Sequence, residues 1–401
     1  GVQTCALPIY KRELKTKVAN LLIEFLLIME EHKEVVDISY DDVLDKIFKL
    51  KEKEKDRITD RLKGMTDEMR DADTILKINK LGMYSKGLQS GLVSYDKDYK
   101  ARRSVDFEKG QAKVEVLMTD VEAKNKEIVQ QKLKEELAKM VLDTGNDDPL
   151  EQKEQSKPQE KPILLQQLQT LDTKEITDNN VVQFAEQVVA KTETHQEEVK
   201  GKDGEKRIAV VLTVPLVPDH LKKRADKFKE DVQKESKRFN VDPSLVFAVV
   251  HTESYFNPKA RSGIPAFGLM QLVPKSAARD AYLYVHKEDK LLTPEYLYEP
   301  TNNVELGAAY LNLLLSKYFK EVKDERSKLY CAIAAYNTGA GNVARAFTGK
   351  TKLKPAIEKI NSMSSDDVLQ HLKTNLPYKE TQDYVVHVSE RMPLYVGYEE
   401  K

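Results

Sequence analysis

Residues 242–258 read DPSLVFAVVHTESYFNP, and this stretch decides the fold of the second half of the chain. Asp242 is placed to cap a helix that starts at Pro243, where the missing N–H costs nothing and the fixed φ is already helical. From that start Val246, Val249, Val250 and Glu253 share one helical face. A carboxylate on an apolar face is either a costly accident or a proton donor. Burial disfavours its charged form and raises its pKa, as a general acid at neutral pH requires. Taken alone, Glu253 reads more readily as a helix-end side chain that reaches solvent or pairs with a basic neighbour.

The residues downstream change that weighting. Glu253-Ser254-x-Phe256-x-Pro258 is followed by Gly268-Leu269-Met270-Gln271 and by Pro274-x-Ser276-Ala277. Then come Asn303-x-x-x-Gly307-x-x-Tyr310-Leu311, Ala335-Tyr336-Asn337 with Gly339 and Gly341, and Pro377-x-x-Glu380-Thr381-x-x-Tyr384-Val385. This ordered set resembles the catalytic domain of the soluble lytic transglycosylase family, which shares the goose-type lysozyme fold. The resemblance runs from about Pro218 to Tyr395 and implies cleavage of peptidoglycan glycan strands with Glu253 as single acid/base. It also implies a periplasmic place, lipid anchoring at the outer membrane through a segment absent from this sequence, and no cofactor.

The remaining site residues follow from the same resemblance. Ser254 can hydrogen-bond the substrate or the carboxyl group, or simply cap the helix. Gly268 leaves room for a sugar to approach the backbone. Met270 and Gln271 offer an apolar wall and an amide, although core packing is the plainer reading of Met270. Tyr336 can donate its hydroxyl to the acid or to an N-acetyl carbonyl, and Asn337 can fix a neighbouring turn. Glu380 and Tyr384 share a helix face and are expected to line or, more readily, buttress the cleft. Two departures stand out: Pro265 and Phe267 flank Ala266 where smaller residues are usual, and Thr338 follows the Asn where Ala or Gly is common.

Upstream the texture differs. Val105 and Phe107 alternate with polar residues, Glu108-Lys109-Gly110 supplies a turn, and Val114, Val116 and Met118 alternate again, predicting a hairpin. Thr119-x-x-Glu122 then caps a predicted helix carrying Ile128, Leu133, Leu137 and Met140. A mobile Pro/Gln-rich insertion is expected at 146–162, a helix near Val181–Ala190, a charged loop, and a buried strand at Arg207–Val214. The expected plan is therefore an α+β N-terminal module at 94–215 followed by an all-α lysozyme-like catalytic domain at 216–401. Residues 10–93 read as a charged helical region without chemistry, suited to a hairpin or a protein-binding arm. Residues 1–9, GVQTCALPI, resemble a translated sequencing adapter and are set aside.

Composition narrows the alternatives. Across 401 residues, 66 acidic side chains face 65 basic ones, a formal net charge of −1, which argues against a nucleic-acid binder. Seven His show no metal-ligand spacing, and His251 is expected to point away from Glu253 at a solvated helix end. Gly339-x-Gly341 lacks the Lys and preceding strand of a phosphate loop. Cys331, in an apolar helical stretch, reads as a core residue. Two rival functions remain: a goose-type hydrolase, which would need a second carboxylate to direct water, and a glycan-binding scaffold without catalysis.

Overall fold

The alternating residues of the predicted hairpin become the centre of a sheet in the computed structural model. That model describes residues 81, 91–144, 162–164, 167–168, 176, 179–201, 203–262 and 266–398. The charged region at 10–93 and the insertion at 146–162 therefore lie almost wholly outside the described residues. Ser85–Lys401 form one compact unit.

Five antiparallel strands make the sheet: β1 (Gly91–Tyr95), β2 (Ala101–Asp106), β3 (Gln111–Met118), β4 (Thr194–Lys200) and β5 (Lys206–Pro215), in the order β1-β2-β3-β5-β4. Ala112 sits between Val105 and Val214 across the register, so the apolar face is continuous. Against it pack three helices, α1 (Asp120–Lys124), α2 (Lys126–Leu142) and α3 (Val181–Lys191), through Leu133, Leu137, Met140, Phe184 and Val188. Elsewhere on β2 and β3, Arg102 and Glu115 stand opposite one another and form a two-pronged ion pair at 2.5 Å.

Two expectations are corrected here. The capping box at Thr119 and Glu122 forms, but the helix stops at Asn125, whose side chain caps α2 by accepting from Glu127 and Ile128 amides. That second start rephases the helix, so Val129 is buried and Ile128 is on the exposed side. The charged loop before β5 is strand β4. Its residues THQEEVK are exposed on nearly every position and are held mainly by the backbone ladder to β5, with Gln196 also donating to the Ala123 carbonyl at 3.2 Å, so no apolar alternation announced it.

The second half is helical: α4 (His220–Asp226), α5 (Lys229–Phe239), α6 (Pro243–Ser254), α7 (Ala277–His286), α8 (Pro294–Tyr298), α9 (Pro300–Leu313), α10 (Glu325–Thr338), α11 (Ala340–Thr348), α12 (Leu353–Ile360), α13 (Ser365–Asn375) and α14 (Lys379–Arg391). Asp242 caps α6 as expected, accepting from the Ser244 amide at 2.8 Å. Every residue of α6 from Ser244 to Ser254 is buried, so the helix is the hub of this half rather than an amphipathic wall. α10 and α14 pack beside it and supply Ala335, Tyr336, Tyr384 and Val385 to one core. A short turn at Met392–Tyr395 closes over α6 by stacking Tyr395 on Phe247 at 5.2 Å. Among the described residues no helix is long and apolar enough to cross a membrane.

Candidate active site

Glu253 occupies the last turn of α6 and is buried, so its carboxyl is desolvated. Burial pushes its pKa up to about 8, and the nearby charge of Glu380 adds to the rise. The Tyr384 hydroxyl opposes both, because a hydrogen bond from a phenol favours the carboxylate. That contact lies outside regular geometry, and the Tyr384 hydroxyl has no other partner. The Tyr384 hydroxyl thus stands beside the Glu253 carboxyl with its donor uncommitted. Tyr336 also feels the Glu253 charge, and burial carries both phenols well above their ordinary range. Glu253 is thus a neutral acid ringed by two neutral phenols.

The loop after Glu253 is built on backbone carbonyls. Ser254 donates to the Leu269 carbonyl at 2.7 Å and lies within 3.1 Å of the Val250 carbonyl. Its hydroxyl therefore binds α6 to the 268–271 turn, with its proton committed to a backbone carbonyl. Tyr336 likewise spends its proton on the Met270 carbonyl at 2.8 Å, leaving its oxygen lone pairs, and not its hydrogen, free. Met270 has no exposure and is a core residue, not a cleft wall. Its amide is held by Asn303 Oδ1 at 2.7 Å, while Asn303 Nδ2 donates to the carbonyls of Phe267 and Leu297. Asn303 was visible as part of a motif, but nothing in its sequence context marked it as the clamp of this turn.

Gly268 has φ +78°, and a Cβ there would stand 2.3 Å from the Leu297 carbonyl oxygen and 2.4 Å from Asn303 Nδ2. Glycine is needed for the turn to lie against α8 and α9. Gln271 also has positive φ, at 47°, and its amide donates to the Ala260 and Gly268 carbonyls. Asn337 accepts from Thr381 at 2.7 Å, so it ties α10 to α14 instead of fixing its own turn. Glu380 is exposed, while Tyr384 is buried four residues on. Pro265 is outside the described residues; Phe267 is buried edge-on to Tyr298 at 5.6 Å. Thr338 accepts from the Asn342 side chain at 3.0 Å and removes nothing from the site.

His251 corrects another expectation. It is buried, hydrogen-bonded to Tyr395 at 3.0 Å, and held neutral by burial with the charges of Arg391 and His220 adding to the effect. No solvated helix end exists there. Among the described residues no cluster of His, Cys, Asp and Glu could hold a metal, and Cys331 is a buried thiol pushed far up by desolvation.

Comparison with known proteins bears on this geometry. The family model described as Transglycosylase SLT domain matches residues 230–358, which include Glu253, the 268–271 turn, Tyr336 and Asn337. A second model, the N-terminal domain of membrane-bound lytic murein transglycosylase C, matches residues 62–227. A protein of that name from Serratia proteamaculans is 32% identical over 310 residues, covering 76% of this chain and 81% of its own length. The chain belongs to this lytic transglycosylase family. A relative of the same name from Klebsiella pneumoniae is 40% identical over 194 residues, 48% of this chain, and the alignment spans only about half, 53%, of that protein.

Solved lytic transglycosylases are also similar to part of the chain. An inactive mutant of lytic transglycosylase Slt from Pseudomonas aeruginosa is 28% identical, covering 42% of this chain and 24% of that one with a TM-score of 0.33. The 70 kDa soluble lytic transglycosylase from Escherichia coli is 22% identical, covering 46% and 26%, also at 0.33. The SLT match ends before α14, so Glu380 and Tyr384 rest on the geometry alone.

A stability consequence follows from the raised carboxyl. Above about pH 4.5 the unfolded chain releases the Glu253 proton, while the native state keeps it until about pH 8. Native stability therefore falls as pH rises through that window, by on the order of a few kcal/mol. Glu253→Gln has no such proton to lose. Its melting temperature should match wild type near pH 4 and exceed it increasingly towards pH 8. A constant difference across that range would mean Glu253 titrates normally.

Proposed function

We propose that this chain cuts the β-1,4 bond between N-acetylmuramic acid and N-acetylglucosamine in peptidoglycan, forming a 1,6-anhydro ring with Glu253 as the only acid/base. The observation that carries the reading is the desolvated, proton-holding Glu253 facing Tyr384. In the first step Glu253 gives its proton to the leaving glycosidic oxygen, and the N-acetyl group of the substrate supports the oxocarbenium-like centre. The developing carboxylate would be buried without a cation, and the ready hydroxyl of Tyr384 can donate to it. In the second step the carboxylate takes the proton of the muramic C6 hydroxyl, whose oxygen closes on C1. No water enters, and Glu253 ends as it began.

A hydroxyl tethered to the substrate has a large effective concentration, so it outcompetes a poorly placed water. The hydrolase reading has one observation in its favour, the charge of Glu380 close enough to act on Glu253. Glu380 is exposed and stands on α14, one turn before Tyr384. The two readings differ in product. Digestion of purified sacculi should release muropeptides with non-reducing 1,6-anhydro ends, each lighter by one water than a hydrolysis product. Mainly reducing ends, detected by borohydride reduction and mass spectrometry, would favour the hydrolase with Glu380 directing water. Peptidoglycan as substrate places the work in the periplasm. The word membrane-bound in the relatives' names points to attachment at a membrane surface.

A further inference from the structure

Immediately after Glu253 and Ser254 the chain makes a bend that two non-glycine residues pay for. Tyr255 has φ +49° and Phe256 φ +60°. Non-glycine residues in this region are strained and persist only where surrounding structure fixes them. The two side chains diverge. The Phe256 ring enters the helical core beside Phe247 and Tyr395, whereas Tyr255 is buried in the hydrophobic core of the sheet module. The bend that ends the catalytic helix is thus shared between the two halves of the unit.

One buried cation completes the arrangement. Arg224, on α4, is 2% exposed and has no carboxylate partner among the described residues. Its Nε donates to the Tyr255 carbonyl at 2.7 Å, and one terminal nitrogen donates to Gln167 Oε1 at 3.1 Å. The guanidinium lies 3.5 Å over the Phe107 ring, at the turn between β2 and β3. Its last nitrogen has no partner. A guanidinium desolvated without an anion costs stability, and here its strongest bond is to the carbonyl of the bent residue. On the far side Arg391 donates to the Tyr255 hydroxyl at 2.8 Å.

We propose that Arg224, seated on Phe107 of the sheet module, is a positioning residue that locks the Tyr255–Phe256 bend and so sets where Glu253 lies relative to Tyr384 and the glycosidic bond. The sheet module is then part of the catalytic centre, contributing no reacting group. Phe107 and Gln167 both lie outside residues 216–401, where the catalytic domain is expected. The proposal rests on the reading of Glu253 as the acid/base.

The test uses the full chain carrying Arg224→Lys, Arg224→Met or Phe107→Leu, with Leu137→Ala in the sheet core as a control for destabilisation alone. Misplacing a reacting group by a fraction of an ångström to an ångström costs about tenfold to a hundredfold. Folded Arg224→Met and Phe107→Leu should therefore lose about that much kcat on peptidoglycan, with KM changed less than about twofold. Arg224→Lys, which keeps a cation and one donor, should recover part of the loss. The basic limb of the kcat–pH profile should move to lower pH as Glu253 gains solvent. Glu380, Tyr336 and Tyr384 face that carboxyl and are unchanged in all four variants. Leu137→Ala should lower the melting temperature and leave kcat per folded molecule and the basic limb where they were. Wild-type kcat and an unmoved limb in folded Phe107→Leu would overturn the proposal, whatever becomes of the more drastic Arg224→Met. Infrared titration of the Glu253 carboxyl, identified by its absence in Glu253→Gln, separates this result from failure of the functional reading. An inactive wild type whose Glu253 titration still shifts in Arg224→Lys and Phe107→Leu keeps the positioning role and removes the function. An active wild type with no shift does the reverse.

Discussion

Glu253→Gln should release no muropeptides from purified sacculi above a floor at least about 10²–10⁴-fold below wild type, the range general acid–base catalysis supplies. The substitution keeps size and polarity, so the packing of α6 is preserved. The amide has no transferable proton for the leaving oxygen and cannot accept one from the C6 hydroxyl, so both steps are lost together. Binding should persist, because the side chain keeps its size and packing, and the variant should still sediment with sacculi. A residual rate within about tenfold of wild type, from protein free of contaminating enzyme, would remove Glu253 from its role.

Gly268→Ala should be the most damaging single-carbon change in the site. The new methyl group would meet the Leu297 carbonyl and the Asn303 amide well inside contact distance, and φ +78° would itself be strained. Strain and overpacking together cost about 2–6 kcal/mol, a large part of a typical stability of roughly 5–15 kcal/mol. The turn also carries the Leu269 and Met270 carbonyls that hold Ser254 and Tyr336. Activity should therefore fall with stability even in molecules that remain folded. Gly307→Ala is the informative companion. Its methyl would stand 2.0 Å from Met270 Sδ, but a thioether can rotate away where a backbone carbonyl cannot. Thermal melts of both should show the larger loss at Gly268. Equal and small losses would mean that the turn is not held as described.

What the sequence made legible is uneven for physical reasons. The helix at 243–254 could be read because capping and helical spacing are local, and the same spacing put Glu253 on an apolar face. The order of motifs made the family legible, and the family matches bear it out. Polar roles were harder. Ser254, Tyr336 and Asn337 each turned out to bond a carbonyl or side chain 15 to 66 residues away, and no local pattern encodes such a partner. Met270 was better read as core by its chemistry than as wall by its motif. β4 escaped because an edge strand exposed on both faces has no alternation to display. His251 was misjudged because α6 is buried all round, whereas a solvated end assumes one wet face. Arg224 carried no signal: within LKKRADKF it looks like one more surface cation, and only the fold shows it desolvated over Phe107.

The central claim is that Glu253 closes a ring instead of directing water, and digestion of sacculi in oxygen-18 water tests it most directly. The chain should yield 1,6-anhydro muropeptides carrying no label at the muramic anomeric carbon, at all extents of digestion, with Glu253→Gln yielding none. Reducing-end muropeptides with one labelled oxygen each, formed from the first minutes of reaction, would contradict it.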